Sequence, residues 1–494
     1  MISRADKMNF IKKYPFQIFL SLHFLLWSFL PLLRQSLPMD SIEAVVWGRL
    51  CDFGTNKHPP LSGWLAHFFY DVIGFEQPIA IYILSQLCVL VGFVYIYRLA
   101  REFMSKERAS MAVMLLSGVI YYGFSAIEYN VNVVSLALWP MCAFHFYRAI
   151  NDNRLADWLL AGLFAGLNLF NKYTSVLMLL AMGVLMLYNK KARAHLKSYQ
   201  PYVCALVCFV VILPHLLWLF DHNFFSFSYF IGRGSKTDFA NFPILKHIIY
   251  PLKFFGAQIL FGLGAFLVYA IAGYHQKRFD VKANQFQKDF LYLMGLLPVV
   301  TMTLLSFVFG IKLKSMWGFP CYYLVGIMLF VFFPYKLTTA FKKRMYIGVY
   351  VMLFLLFSAQ ALVILFNKSD KFHLKATQYG QTLENIWYKK YGNFKFMYVA
   401  GDVWWADNAA LFAPSQPKPL IWGDFKQNPW LDEHDINDKG ALLIAGSLDE
   451  YQSMKNKLKF VSKPEPLDIY VTNRLGKIKK KSLYYGFYNV YGER

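Results

Sequence analysis

Acidic residues are scarce in this chain. Only 29 Asp and Glu stand against 51 Lys and Arg over 494 residues, a formal charge of +22. Such an excess suggests nucleic acid, yet no RRM, zinc-ligand or helix-turn-helix signature accompanies it. Walker loop, dinucleotide-binding glycine pattern, Gly-x-Ser-x-Gly elbow and His-Glu-x-x-His are all missing, which removes P-loop, Rossmann, serine-hydrolase and zincin chemistry. There is no internal repeat and no low-complexity tract. The six cysteines are Cys51, Cys88, Cys142, Cys204, Cys208 and Cys321. All but Cys51 fall in apolar runs, and Cys204 and Cys208, four apart on one helix face, have no His or acidic partner. Neither a disulfide framework nor a metal site follows. No small-residue cleavage site follows the first apolar segment, so that segment reads as a retained span.

What the chain has in abundance is apolar surface. It is 57% hydrophobic and 19% aromatic, with a mean hydropathy of +0.35. Runs long enough to cross about 30 Å of hydrocarbon recur between residues 15 and 366. They are continuous rather than alternating, which argues against an outer-membrane barrel. The expected fold is a polytopic α-helical membrane protein. Spans are expected at 15–33, 79–98, 109–127, 133–150, 157–170, 174–188, 201–220, 248–273, 290–310, 317–334 and 346–366, about eleven in all. Basic clusters fall on every second loop: Arg98 to Arg108, Arg148 and Arg154, Lys190 to Lys197, Lys277 to Lys288, and Lys336 to Arg344. The positive-inside rule then puts the N-terminus in the cytoplasm and residues 367–494 outside, and it accounts for much of the net charge. From Asn367 the pattern changes to short strand-like runs, Phe394–Ala400 and Ala441–Ala445, with a helix around Trp387 and Tyr388. A small C-terminal α/β domain is expected there, large enough for its own core.

The outward loops carry few but specific charges. The first, 34–78, places Asp40 and Glu43 three residues apart, near the first turn of a short helix. Lys57-His58-Pro59-Pro60 follows, where the prolines hold the basic pair in an extended kink. Leu61, Trp64, Leu65, Phe68 and Phe69 then repeat at helical spacing, as in a helix lying on a bilayer surface. The plainer reading is a polar connector with an N-cap Asp and a proline stop. Glu128 lies in the loop before the fourth span. Lys172 interrupts an apolar stretch, where a charge faces a cavity or partner or snorkels to the interface. Arg233 and Lys236 lie in a long polar loop that would solvate them in any case. Lys312 and Lys314 either anchor a helix end or serve a site. Together these groups suit a polyprenyl-phosphate sugar: cations hold and stabilise the departing phosphate, and a carboxylate deprotonates the attacking hydroxyl. The same groups could line an anion transporter, although no pairing of related halves is visible. Asp40 and Glu43 could hold a divalent ion, though two carboxylates alone make no committed ligand set.

The arrangement Asp40-Ser-Ile-Glu43 … Lys57-His58-Pro59-Pro60-Leu61-Ser-Gly-Trp64-Leu65 resembles the first outer loop of the GT-C glycosyltransferases of family 39. These include the protein O-mannosyltransferases and the bacterial aminoarabinose and galacturonic acid transferases that decorate lipid A. Glu128-Tyr-Asn130-Val-Asn132 with Trp139-Pro140, Asn171-Lys172-Tyr173-Thr174, and Met316-Trp317-Gly318-Phe319-Pro320 are similar to the bacterial branch. So, more faintly, are Asp402-Val-Trp404 and Asn428-Pro429-Trp430. The resemblance implies the GT-C fold: a catalytic membrane domain over 1–366, surface helices in the 34–78 loop, and a periplasmic domain over 367–494. It implies an inverting hexosyl or pentosyl transferase of the bacterial inner membrane. The donor is a polyprenyl-phosphate sugar, and the acceptor is lipid A or another envelope glycan. Asp40 is then the base, with Glu43 beside it. Lys57, His58, Lys172, Arg233, Lys312 and Lys314 are donor-phosphate contacts, and Glu128, Asn130, Asn132 and Trp317 are substrate contacts. Relatives carry Lys or His before the paired prolines, so either Lys57 or His58 fills that role. Many relatives have a second acid before the fourth span, where this chain has Glu128 flanked by Asn130 and Asn132. A protein O-glycosyltransferase of the same fold and a flippase of lipid-linked sugars are the alternatives.

Overall fold

In a computed structural model, residues 14–227, 242–279, 283–458 and 461–488 are described. The chain forms two compact units, neither continuous in sequence. One takes in residues up to Leu30, Lys57–Leu61 and Tyr82–Gln360; the other takes in Pro31–Asn56, Ser62–Ile81 and the chain from Ala361 onward.

The first unit is helical. Among the described residues, seven helices are long and apolar enough to cross a membrane: Pro15–Leu33, Pro78–Arg101, Val131–Asp152, Gln200–Asp221, Ile244–Gly273, Gln285–Phe309 and Thr339–Phe366. Two bent pairs, Tyr173–Tyr188 with Lys190–Lys197 (83°) and Ser315–Tyr322 with Val325–Phe332 (56°), raise the number to nine if each is one span. The protein is thus a multi-pass membrane protein. Two of the expected spans are not straight. The 109–127 run breaks into helix Lys106–Met114 and the short 3-10 turns Leu115–Gly118 and Ile120–Tyr122, and 317–334 begins as a 3-10 helix. The 157–170 span is helix Leu155–Asn171, at 17 residues shorter than the seven long helices. Hydropathy reports burial, and a buried run stays apolar whether its hydrogen bonds are α or 3-10.

Val131–Asp152 is buried on nearly all sides, so it forms the core of this unit. Leu155–Asn171 packs between it and Gln200–Asp221. Gly162 and Gly166 set that spacing: a Cβ on Gly162 would lie 2.3 Å from the Cys204 carbonyl oxygen, and one on Gly166 2.9 Å from that of Cys208. Small residues four apart let helix backbones meet where lipid offers no competing hydrophobic force. Cys204 and Cys208 thus mark a packing face. Several basic loops meet at one end of the unit. Lys342 Nζ lies 2.7 Å from Glu107, Arg108 donates to the Tyr335 carbonyl, and Arg344 donates to that of Tyr274.

The second unit holds a five-stranded sheet in the order β2-β1-β3-β5-β4. The strands are β1 Tyr398–Gly401, β2 Lys418–Ile421, β3 Ala441–Ala445, β4 Glu465–Thr472 and β5 Ile478–Tyr488. β1 runs parallel to β2 and β3, and β5 is antiparallel to β3 and β4. The strand expected at Phe394–Ala400 begins only at Tyr398; Ala441–Ala445 and the helix carrying Trp387 (Ala376–Tyr391) stand as expected. This is the small α/β domain. Helix Val403–Phe412 packs on Ala376–Tyr391 and on the outer-loop helix Met39–Leu50.

The outer loop itself forms helix Met39–Leu50 and then Leu61–His67, which continues as a π-helix over Phe68–Ile73. The first two cross at glycines. A Cβ on Gly48 would stand 2.1 Å from the Gly63 carbonyl oxygen and 2.5 Å from His67 Cβ. Gly48→Ala therefore has to separate two backbones. Overpacking of this kind costs about 1–3 kcal/mol, and a lowered melting temperature of the detergent-solubilised chain is the expected result.

Asp402 caps helix Val403–Phe412 by accepting the Trp405 N–H at 2.8 Å. Burial, reinforced by Glu450 and Asp370 and opposed by that N–H and Lys371, pushes its carboxyl up to about 6. The folded unit thus holds this proton more tightly than the unfolded chain, whose Asp titrates near ~3.9. Stability is lost as pH rises between those values, and the deficit is complete above the folded value. Asn caps as well as Asp without the buried charge. Asp402→Asn should therefore raise stability by roughly 3 kcal/mol above pH ~7 and leave it unchanged below pH ~3. Thermal melts at the two pH values check this.

Candidate active site

The membrane unit brings two of the sequence motifs together. Asn130 caps helix Val131–Asp152, its side chain accepting the N–H groups of Asn132 (2.9 Å) and Val133 (3.4 Å). A short polar side chain before a helical run satisfies donors that have no carbonyl partner. Helix Leu155–Asn171 ends at Lys172, whose backbone turns extended, and its N–H still reaches the Asn168 carbonyl at 2.9 Å. Lys172 is only 4% exposed, and its Nζ donates to Asn132 Oδ1. Two asparagines hold this arrangement. Asn171 Nδ2 donates to the Val131 carbonyl at 2.8 Å and to Ser135 Oγ at 3.1 Å. Asn168 Nδ2 donates to the carbonyls of Leu138 (3.0 Å) and Phe164 (2.8 Å). Amide side chains thus pin the C-terminal tip of one helix onto the preceding helix, and an ammonium is held within the pinned region.

Next to Lys172, the Tyr173 hydroxyl lies 3.0 Å from His215 Nε2. The 3-10 helix Ser315–Tyr322, which carries half-buried Trp317, packs on Val131–Asp152. The Ser315 carbonyl, near its start, accepts from the Tyr121 hydroxyl (2.6 Å) and from Gln258 Nε2 (3.1 Å). Glu128 is half-buried. Lys312 and Lys314 are half-buried in the segment after Gly310, and Lys312 Nζ lies 5.9 Å from the centre of the Tyr250 ring. Lys57 and His58 are half-buried in a bend before helix Leu61–His67, with Pro59 and Pro60 buried behind them. Arg233 and Lys236 lie outside the described residues.

Asp40 and Glu43 belong to the second unit. Both sit on helix Met39–Leu50: Asp40 is half-buried in the first turn, and Glu43 is 5% exposed. Among the described residues, no group of three His, Cys, Asp or Glu side chains is placed to hold a metal ion.

Some polar groups were not legible beforehand. Asn168 and His215 read as ordinary polar residues inside helices. The second unit also has a cleft of about 350 Å³ lined by Arg49, His67, Asp71, Glu76 and Lys418. There Arg49 pairs with Asp71 at 2.6 Å, and His67 Nδ1 lies 2.5 Å from the same carboxylate. Only the i,i+4 spacing of His67 and Asp71 hinted at the cluster.

Residues 57–218 match the dolichyl-phosphate-mannose-protein mannosyltransferase family. Two curated relatives are the lipopolysaccharide core galacturonosyltransferases RgtB and RgtA of Rhizobium johnstonii. RgtB is 25% identical over 212 residues, 42% of each chain, and RgtA is 24% identical over 199 residues, 40% of each. The matched region thus spans less than half the length of these relatives. Among solved structures, ArnT from Cupriavidus metallidurans bound to undecaprenyl phosphate superposes with a TM-score of 0.64 at 11% identity, covering 95% of this chain and 97% of that one. The apo oligosaccharyltransferase of Archaeoglobus fulgidus reaches 0.50 at 13% identity, covering 95% and 74%. The fold is that of the membrane-embedded GT-C enzymes. The sequence match covers residues 57–218, about a third of the chain, and the structural likeness extends the shared fold over nearly all of it.

Proposed function

We propose that the protein is an inverting glycosyltransferase that moves a sugar from a polyprenyl-phosphate donor to lipid A or another envelope glycan, at the periplasmic face of the bacterial inner membrane. The observation that carries this reading is the buried Lys172–Asn132 pair. It lies inside the segment matching the mannosyltransferase family, on the two helices that this segment's asparagines lock together. A fixed ammonium within a membrane bundle suits the phosphate of a lipid carrier, because such a charge acts strongly where water is excluded. The carrier in the ArnT structure and the acceptor named for the Rhizobium relatives support the choice of donor and acceptor.

In this reading residues 1–366 form the catalytic membrane domain and 367–494 a periplasmic domain. Asp40 removes the acceptor proton as the hydroxyl attacks the anomeric carbon, and Glu43 shapes its surroundings. Lys57 or His58, with Lys172, Arg233, Lys312 and Lys314, holds the phosphate as the sugar departs. Glu128, Asn130, Asn132 and Trp317 line the sugar. The basic loops that meet at one end of the helices face the cytoplasm, so the site faces away from it.

The test is mass spectrometry of lipid A and envelope glycans from cells with the gene, without it, and with Asp40→Asn. Loss of one sugar-sized increment in both altered strains supports the reading and names the acceptor. An unchanged glycan profile with a sugar missing from membrane or secreted proteins moves the acceptor to protein. Loss in the deletion alone, with Asp40→Asn unaffected, points to transport or another base.

A further inference from the structure

The hairpin of β4 and β5 is tied to the ends of two membrane helices, and its tip exposes apolar and basic side chains side by side. The strands are joined by the turn Asn473–Lys477, closed by the Asn473 N–H to the Lys477 carbonyl at 3.1 Å. Gly476 adopts φ +76° there, a region open to glycine at little steric cost. Asn473 is buried, and its Oδ1 accepts the N–H groups of Leu475 and Lys477. Its Nδ2 faces the carbonyls of Leu365 and Asn367, each at 3.4 Å. Arg474 donates to the carbonyls of Leu33 (2.9 Å) and Leu32 (3.1 Å). One residue before the turn, Thr472 accepts from Gln35 Nε2 at 2.6 Å.

Leu32 and Leu33 close the segment Pro15–Leu33, and Leu365 and Asn367 stand at the end of Thr339–Phe366. The last carbonyls of a helix have no partner within it, and a cation there also suits the helix dipole. The turn therefore sits at the ends of these two apolar helices. There Leu475 is 48% and Ile478 69% exposed, with Lys477 and Lys479 exposed beside them. Lys480, by contrast, is paired with Asp468 at 2.7 Å. Apolar tips with adjacent lysines fit the boundary of a bilayer, where the stem lies among acyl chains and the ammonium reaches phosphate.

We propose that this hairpin tip is a membrane-surface anchor: Leu475 and Ile478 enter the interfacial layer of the leaflet, and Lys477 and Lys479 bind anionic lipid headgroups. The anchor is independent of any transfer reaction. It fixes the height of the sheet over the bilayer, because β5 continues from the tip into the sheet between β4 and β3.

The test uses the full chain in lipid nanodiscs, with Cys51→Ser and Cys208→Ser removing the more accessible thiols. A nitroxide is placed at Ile478→Cys, or at Ser453→Cys on the exposed side of helix Leu448–Lys457 as a control. Power saturation compares access by oxygen, which favours lipid, with access by a water-soluble nickel chelate. The expected result is a ratio at 478 several-fold above that at 453. It should rise further when phosphatidylglycerol replaces part of the phosphatidylcholine, and Lys477→Gln with Lys479→Gln should abolish that rise. Equal ratios at 478 and 453 in both lipid mixtures overturn the anchor. A high ratio at 478 that ignores both phosphatidylglycerol and the lysine substitutions overturns the headgroup binding.

Discussion

Lys172→Ala is expected to lower the rate of sugar transfer by about 10²–10³-fold, the loss typical when one preorganised group that stabilises transition-state charge is removed. The protein should stay folded. The tip of helix Leu155–Asn171 is held by Asn168 and Asn171, so deleting the ammonium does not release the hairpin. Asn132, which accepts from Lys172, keeps its backbone position through the cap at Asn130. Donor use should suffer more than thermal stability. Initial rates of the purified protein over a range of polyprenyl-phosphate sugar concentrations, beside a melting curve, separate the two. Unchanged donor dependence would return Lys172 to a snorkelling role at a helix end.

The second large effect concerns Asp40. Asp40→Asn should reduce transfer by about 10²–10⁴-fold, the usual contribution of a positioned general base. The substitution keeps size and hydrogen-bonding oxygen but cannot take up a proton at neutral pH. The helix that carries Asp40 is held independently of it. Its start is closed by the Pro38 carbonyl accepting from Ser41 and Ile42, and its far half is clamped against Leu61–His67 at Gly48. Expression and melting temperature should match wild type. A variant with near-normal turnover and the same donor dependence would remove Asp40 as the base and make Glu43 the next carboxylate to substitute.

The parts legible in the sequence were those that composition alone decides. Long apolar runs gave the membrane class, and alternating basic loops gave a common end, which the Lys342–Glu107 and Arg108–Tyr335 contacts join in space. Ala441–Ala445 was visible because a strand buried on both faces is a short apolar run. β5 was not, because Lys479, Lys480 and Lys481 mask its period. The charged candidates Lys172 and Asp40 stood out because charge near a membrane is expensive. Their supports did not, since Asn168 and Asn171 are informative only once the carbonyls they reach are known. The Arg49–Asp71–His67 cluster needs two helices joined across a loop, and no local pattern encodes that meeting.

The division of the chain also bears on how it is made. The outer-loop helices over 31–56 and 62–81 share their unit with everything after residue 361. Arg34 reaches the Lys371 carbonyl, Gln35 that of Thr472 and Arg49 that of Ala410. Ribosomes add about 5–20 residues per second, so the intervening 82–360 keep these helices waiting roughly 15–60 s for their partners. Over that interval helix Met39–Leu50, with its apolar face of Ile42, Val45 and Val46, has nothing of its own unit but the neighbouring loop to cover it. The bilayer surface or a chaperone must shelter it until translation ends. A chain stopped before residue 361 would insert its helices and still leave the carboxylates of its first loop on an unassembled scaffold.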